Sequence, residues 1–406
     1  MRRSAFGATI VGLDIGTTKT CAVVATATPD GLDIIGVGEA PCTGLRKGVI
    51  TDLEETVRSI EAATEKAERM AGVHISHVYV GVTGEHVQST NNRGVVAITG
   101  EDREVARGDV RRVVEASKLI NVGTDRQIIH TLPRHYTVDG HDGITDPIGM
   151  SGTRLEVDTH IITGGNTFIT NVLKCVHRAG LEPAGIVFEP LASSAATLLS
   201  EEKHVGVVLL DIGGGTTDVA VYSGGGAMHT STIPVGGNIL TNDIALGLKT
   251  TFAEAETIKR TLACAIVDTV TEDFPVKTLD GRTTRTVSRA QLRAIVAPRL
   301  HEIFRMAKAQ LATLPRDVIL AEVVVTGGGA HLRGMEQAAS EFFGMPARVG
   351  VPTAVGGLTD AVKQPEFATA VGLVLFGPKG DGAIWHNGKS RGPFGKVAAW
   401  FGDLWN

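Results

Sequence analysis

The sequence predicts an α/β protein of two lobes, and three observations carry that expectation. A motif recurs: Ile10-Val11-Gly12-Leu13-Asp14-Ile15-Gly16-Thr17-Thr18 returns as Val207-Val208-Leu209-Leu210-Asp211-Ile212-Gly213-Gly214-Gly215-Thr216-Thr217, about one domain length further on. Strand-like and helix-like stretches alternate along the chain, which favours helices packed on sheets. A length of 406 residues also exceeds the roughly 100–200 that a single domain usually organises.

Composition narrows the class. Hydrophobic content of 43% with 20% charged residues can build a packed interior, and 50 glycines imply many tight turns. A formal charge of −5 gives no field that would hold a phosphate backbone, so nucleic acid is not an expected partner. Cys21, Cys42, Cys175 and Cys264 are scattered without a CxxC pattern and read as reduced, mostly buried thiols. Asp14 cuts the apolar run that follows Arg2-Arg3, and no small-residue cleavage site fits, so a secretory signal is not expected. No segment approaches about 18 uninterrupted apolar residues, so membrane contact is expected to be peripheral.

Each copy of the repeated motif reads as a hairpin: a β-branched strand ends in Asp-Ile-Gly, turns through Gly and Thr, and resumes at Cys21–Val24 or Asp218–Tyr222. Leu53 to Met70 has Val57, Ile60, Ala67 and Met70 near helical spacing, with Asp52 as a fair N-cap, and feeds a strand at Val78–Val82. From Gly84 to Ile162 the pattern changes to short strands around one helix, Asp109 to Leu119, with turns expected at Asn91-Asn92 and Asp139-Gly140, as in an insertion. Helices are expected at Phe168–Ala179, Leu191–Leu199, Asn238–Leu248 and Glu254–Ala263. A polar stretch, Thr269 to Arg285, precedes a long helix, Arg289 to Thr313, and a strand at Glu322–Val325. Residues 377–392 read as a flexible Gly-, Lys- and Asp-rich linker.

A carboxylate at the end of a buried strand, followed by glycine and threonine, leaves backbone N–H groups where an anion can approach. One such turn is more often a simple capped hairpin; a pair can clamp a nucleotide from two sides. Asp14 and Asp211 would then hold Mg²⁺ through water, because Mg²⁺ dehydrates reluctantly. A third glycine turn, Gly327-Gly328-Gly329-Ala330, follows the strand Val323–Val325 and lets backbone approach a flat ligand.

In this order the three turns resemble the two phosphate motifs and the adenosine motif of the actin, sugar-kinase and heat-shock chaperone superfamily. The resemblance implies an actin-like two-lobed ATPase fold with duplicated ribonuclease-H-like cores, binding ATP and Mg²⁺. Gly16, Thr17 and Thr18 would contact phosphate from one side, and Gly213, Gly214, Gly215, Thr216 and Thr217 from the other. Lys19 is a further phosphate candidate, although it does not align with the lysine of actin. Glu256-Thr257-Ile258-Lys259 is similar to the chaperone segment that touches adenosine, so Glu256 and Lys259 would meet the ribose and His331 would stack. Taken alone, Glu256 and Lys259 are an ordinary helix pair. Gly185–Ala192 and Ala368–Leu373 look like the family's two connecting elements, where small residues let helices cross. Glu189 stands where relatives orient the attacking water, and a helix-start acid favoured by the macrodipole is an equal reading.

Over the stretch from Ala8 to its end the chain resembles the bacterial cell-division FtsA family, most strongly at Gly12–Ala22, Gly185–Tyr222, Pro234–Gly247 and Val323–Met335. That family carries a small inserted subdomain in its first lobe. The implied divisions are residues 1–83 and 163–203 for the first lobe, 84–162 for the insertion, and 204–247 for the second-lobe core. Residues 248–313 would form the second-lobe tip, 314–376 the adenosine motif and the return to the first lobe, and 377–392 the linker. The resemblance further implies self-association into filaments, other division proteins as partners, and a second-lobe tip that receives the C-terminal tail of FtsZ. Lys277, Arg282, Arg285, Arg289 and Arg293 offer that tail positive charge, although scattered solvated charges are the commoner explanation. A pilus-assembly adaptor of the PilM type and a sugar-kinase-like phosphotransferase are the alternatives.

Residues 393–406 discriminate among these. Phe394, Val397, Phe401, Leu404 and Trp405 fall on one helical stripe bordered by Trp400, which describes an interfacial helix; by the resemblance it would rest on the inner-membrane surface. A helix docked on its own lobe is the competing reading.

Overall fold

The computed structural model describes residues 7–100, 102–266, 272–312, 314–315 and 318–378. The expected tail helix at 393–406, and the linker before it beyond Pro378, lie outside the described residues.

The first repeated motif opens the first lobe as β1 (Thr9–Ile15) and β2 (Lys19–Thr28), joined by β3 (Gly31–Pro41) into an antiparallel meander. A small hairpin, β4 (Leu45–Arg46) with β5 (Val49–Ile50), leads to α1 (Leu53–Ala71). Asp52 accepts the Glu55 amide at 3.0 Å and Gly72 ends the helix in the left-handed region, so both helix ends are satisfied locally. Val57, Ile60, Ala63 and Ala67 of α1 pack onto the sheet with Leu13, Ala22 and Val24. β6 (His77–Val82) then runs parallel to β1.

The insertion comprises β7 (Gln88–Ala97), α2 (Arg107–Ser117), β8 (Arg126–Val138), β9 (His141–Ile144) and β10 (Arg154–Gly165). They form an antiparallel sheet in the order β7-β10-β8-β9 with α2 laid over it. Its strands are longer than the sequence suggested, and the turn expected at Asn91-Asn92 does not form. Both asparagines lie within β7, paired with His160 and Thr159 of β10. Asn92 Nδ2 donates to the Ser117 carbonyl and Asn91 Nδ2 to the Met228 carbonyl, so side-chain partners override a local turn preference.

The chain returns through α3 (Asn166–Arg178), β11 (Glu182–Phe188), α4 (Glu189–Thr197) and α5 (Ser200–Val205). The second lobe repeats the first: β12 (Val207–Ile212), β13 (Thr217–Ser223) and β14 (Gly226–Ile233) form the meander. α6 (Gly237–Gly247), expected in the second-lobe core, packs through Leu240 and Ile244 into the apolar centre of the tip, which holds α7 (Phe252–Leu262) and α8 (Arg289–Leu311), with Pro298 inside α8. Part of the stretch read as merely polar forms a hairpin, β15 (Phe274–Lys277) with β16 (Thr284–Val287), because Phe274, Val276 and Val287 join the apolar centre of the tip. There Arg285 binds the Leu248 carbonyl and Arg289 the Leu262 carbonyl, so two of the five basic residues considered for an acidic tail are engaged within the tip.

β17 (Glu322–Thr326), α9 (Met335–Phe343), β18 (Ala347–Val349), β19 (Gly356–Gly357) and α10 (Ala368–Phe376) complete the described chain. The sheets run β11-β6-β1-β2-β3-β19 and β14-β13-β12-β17-β18, so each lobe has a three-strand meander continued by parallel strands on the side of its first strand. α10 returns to the first lobe, where Ala370, Val371, Leu373 and Val374 share a core with Ile10 and Val23. It crosses α4 so closely that a side-chain carbon on Gly372 would lie 1.8 Å from the Ala192 carbonyl oxygen. These are the two small-residue connecting elements expected from the sequence.

Candidate functional site

Asp14 and Asp211 stand near the ends of central strands whose apolar side chains are buried on both sheet faces. Each strand stops at a glycine turn closed by one backbone bond, Gly16 N–H to the Lys19 carbonyl and Gly213 N–H to the Thr216 carbonyl, both 2.9 Å. The two turns meet tip to tip: a side-chain carbon on Gly214 would lie 2.4 Å from Thr18 Cγ2, and one on Gly215 would lie 2.5 Å from Thr17 Oγ1. Start of α6 amides hold the second turn from behind, Gly237 N–H on the Gly213 carbonyl and Asn238 N–H on the Gly214 carbonyl, each at 2.8 Å. Among the described residues no backbone acceptor takes the amides of Gly214 and Gly215. Such free amides in a glycine turn are suited to an anion.

A narrow cavity of about 100 Å³ lies between the turns, lined by Asp14, Gly16, Thr17, Thr18, Lys19, Glu189, Asp211, Gly213, Gly214, Gly215, Thr216, Gly327 and Gly328. It adjoins a wider cavity of about 560 Å³ lined by Glu256, Lys259, Gly329 and His331, with Thr18, Lys19, Gly213, Gly214, Gly328 and Glu366 common to both. Fifteen residues apart on the chain, Thr241 and Glu256 are joined with Lys259 in one hydrogen-bonded group, where Lys259 Nζ lies 2.7 Å from Glu256 Oε2 and 2.9 Å from Thr241 Oγ1. Of the residues expected to touch the ligand, only Thr217 stands off both cavities: its buried hydroxyl donates to the Val235 carbonyl at 2.7 Å and braces the turn.

Sequence reasoning missed Thr83, Asp218, Glu366 and Thr369, all of which line the narrow cavity. Asp218 sits directly opposite Asp211 across the β12–β13 ladder, and its Oδ1 accepts from Thr83 and Thr232, each at 2.7 Å. That position follows the repeated motif by one residue and was the available signal. Thr369 Oγ1 donates to Asp211 Oδ2 at 3.0 Å, linking α10 to the second turn. Gly327 has φ +79, and a side chain there would come 2.2 Å from Asp211 Oδ1, so glycine is required at that point. His331 pairs with Glu366, while Lys19 pairs with Glu39 and lies 4.4 Å from the centre of the Phe367 ring.

Three buried carboxyls, Glu189, Asp211 and Asp218, and the half-buried Asp14 therefore share one small space. Burial pushes Asp14 up to about 7, with Lys19 opposing and Asp211 adding to the shift. Burial raises Asp218 to about 7 as well, while the Thr232 and Thr83 hydroxyls oppose it. Asp211 is raised by burial against bonds from Thr369 and Ser193, and Glu189 is raised by burial and by the charges of Asp14, Asp218 and Asp211. A divalent cation would relieve this cluster. Among the described residues no set of three or more His, Cys, Asp or Glu is arranged to ligate an ion directly. The donor set fits Mg²⁺ with a nucleotide.

Comparison with known proteins agrees with this architecture. The family model for cell division protein FtsA matches residues 208–372, and the model for the SHS2 domain inserted in FtsA matches residues 84–163. Cell division protein FtsA of Pseudomonas aeruginosa is 43% identical over 91% of this chain and 89% of its own length. The Escherichia coli K12 protein of that name is 38% identical over 91% and 90%, and that of Bacillus subtilis 40% identical over 90% and 82%. Among solved structures, the PilM-PilN type IV pilus biogenesis complex matches with a TM-score of 0.66 at 18% identity, over 90% of this chain and 97% of the other. MreB5 of Spiroplasma citri bound to ADP matches with a TM-score of 0.55 at 15% identity, over 90% and 94%. The fold is thus actin-like, and by identity sustained over nine-tenths of its length the chain belongs to the FtsA family of cell-division proteins.

Proposed function

We propose that the protein binds Mg²⁺-ATP between its lobes, assembles into filaments on the cytoplasmic face of the inner membrane, and tethers FtsZ filaments there through the FtsZ C-terminal tail. The observation that carries the nucleotide reading is the pair of glycine turns facing each other over buried carboxylates, next to a wider cavity with Glu256, Lys259 and His331. ATP supplies a transferable phosphoryl group when bound. Asp14 and Asp211 would hold the cation through water, with Asp218 beside them, while the Gly214 and Gly215 amides and Lys19 would face phosphate. Glu189 would orient a water at the phosphate end, and Glu256, Lys259 and His331 would hold the nucleoside. The MreB relative whose structure was solved with ADP supports a nucleotide in this fold. A PilM-type adaptor finds support in fold likeness alone, at 18% identity, whereas the FtsA relatives reach 43%.

Membrane attachment rests on residues 393–406. Burying one large apolar side chain stabilises by about 1.5–3 kcal/mol, so Phe394, Phe401, Leu404 and Trp405 offer on the order of 6–12 kcal/mol at most. Ordering a short helix and losing free motion at the surface offset much of that gain. One tail should bind weakly, and a filament presenting many should bind firmly. Lys389, Arg391 and Lys396 add salt-sensitive attraction to anionic lipid. The test is ATP titration followed by liposome sedimentation of the intact chain, a Trp405→Glu variant and a chain ending at Gly392, over a range of protein concentration. Tail-dependent sedimentation that steepens as filaments form is expected; equal sedimentation of all three would sink the anchor.

A further inference from the structure

β11 lies at an edge of the first-lobe sheet, with β6 as its neighbour, so half of its main-chain groups face away from any strand. At its last residue this matters most. Phe188 is buried, and a buried N–H left without an acceptor is costly. The acceptor comes from the inserted domain: the Phe188 amide donates to Nε2 of His130 on β8, at 3.0 Å.

His130 is itself wholly buried, and its ring stands edge-on to Phe376 at the end of α10, with centroids 5.6 Å apart and planes at 87°. Accepting at Nε2 requires a neutral ring with its proton on Nδ1. Burial pushes the His130 pKa down to about 3, which keeps the ring neutral at physiological pH. Phe188 is also the N-cap residue of α4, and Glu189 is the first residue of that helix. No side chain caps it. The direction of this strand-to-helix corner therefore depends on the pairing of Phe188 with Val82 on one side and on His130 on the other. From the corner the Glu189 side chain enters the narrow cavity, where a side chain on Gly81 would lie only 3.1 Å from Glu189 Oε1.

We propose that His130 is a positioning residue: by accepting the Phe188 amide it fixes the corner that aims Glu189 at the phosphate end, and so makes turnover depend on how the inserted domain is seated against the first lobe. The inference rests on the reading of Glu189 as the water-orienting group. Its two parts are tested separately on the full chain with three variants. In His130→Gln the amide oxygen falls near the place of Nε2 and can take over as acceptor; in His130→Asn it falls short, and His130→Leu has no acceptor.

Hydrogen exchange at the Phe188 amide needs no turnover. It should accelerate by about tenfold or more in the Leu and Asn variants and stay slow in the Gln variant, with strands β1 and β12 unchanged in all. Unchanged protection at Phe188 in a folded Asn or Leu variant overturns the proposal. Turnover of ATP at saturation should fall about tenfold in the Asn and Leu variants, with nucleotide Kd within about twofold of the parent, and should be largely kept in the Gln variant. Equal loss in all three, or Kd and turnover falling together, would mean that His130 serves packing alone. A parent chain that shows no turnover sinks the water-orienting role of Glu189 and with it the catalytic half of the inference, while exchange at Phe188 still decides whether His130 holds the corner.

Discussion

The two glycine turns descend from one pattern and differ where chemistry requires it. Across the first ladder Asp14 faces Cys21; across the second Asp211 faces Asp218. Cys21 is fully buried in an apolar cluster, and burial raises its thiol far above the usual range, so it stays neutral. The first turn instead supplies a cation: Lys19 follows it, whereas Thr216 stands at the matching place in the second, one residue before the ladder partner of Ile212. The second turn is also the one braced by α6 and tied to α10 through Thr369. A shared backbone thus carries a division of charge, with two carboxyls on the second side and, on the first, one carboxyl and an ammonium that Glu39 pairs.

That division can be broken outright. Cys21→Asp would give the first turn the carboxyl of the second, but among apolar neighbours rather than hydroxyls. A carboxyl there would have the Lys19 ammonium beside it but the charges of Asp14 and Glu39 against it and no hydroxyl to bond, so the cost should be about 3 kcal/mol, seen as a lower denaturant midpoint. A midpoint within error of the parent would show that the two ladders are electrostatically interchangeable.

The next largest effect belongs to the group between the turns. Glu189→Ala should lower turnover about 100-fold while changing nucleotide affinity by less than about threefold, because a group that orients water acts on the reaction. Unchanged turnover would leave Glu189 as a helix-start acid only. Asp211→Ala should weaken Mg²⁺-ATP binding about 10- to 100-fold in a titration, with a smaller change when Mg²⁺ is chelated. Equal weakening with and without Mg²⁺ would assign Asp211 to the shape of the turn.

The smallest effect is a pH dependence. Asp218 is raised from an ordinary 3.8 to about 7 in the folded protein, so between those values the folded chain binds the proton and the unfolded chain has released it. Its contribution to stability therefore declines as pH rises through about 7. Asp218→Asn keeps an oxygen to accept from Thr83 and Thr232 and removes the charge. Thermal unfolding in chelator should show a flatter decline between about pH 4 and pH 7 for the variant. A parallel decline would move the dependence to the other raised carboxyls, Asp14, Asp211 and Glu189.

Much of this was legible in advance because it is local. Apolar runs of strand length ending in Asp-Ile-Gly, the helical spacing of Val57, Ile60 and Ala67 and the cap at Asp52 depend on neighbours a few residues away. The hairpin at 274–287 was not legible. Its alternation is short, and its stability comes from packing Phe274, Val276 and Val287 against helices of the tip. Asn91-Asn92 misled because asparagine favours turns where nothing else bonds it, and here Ser117 and Met228 do.

By itself the sequence determined a duplicated α/β framework, two carboxylate-bearing glycine turns and a third glycine turn, since each is written in consecutive residues. Only the tertiary structure decided that Thr83 binds Asp218 from 135 residues away, that Thr369 binds Asp211 from 158 away, and that His130 reaches the Phe188 amide from another domain. The reason is physical: periodicity specifies which face of an element is buried, but the partner met by a buried polar group depends on which strands become neighbours, and that is set by packing of the whole lobe.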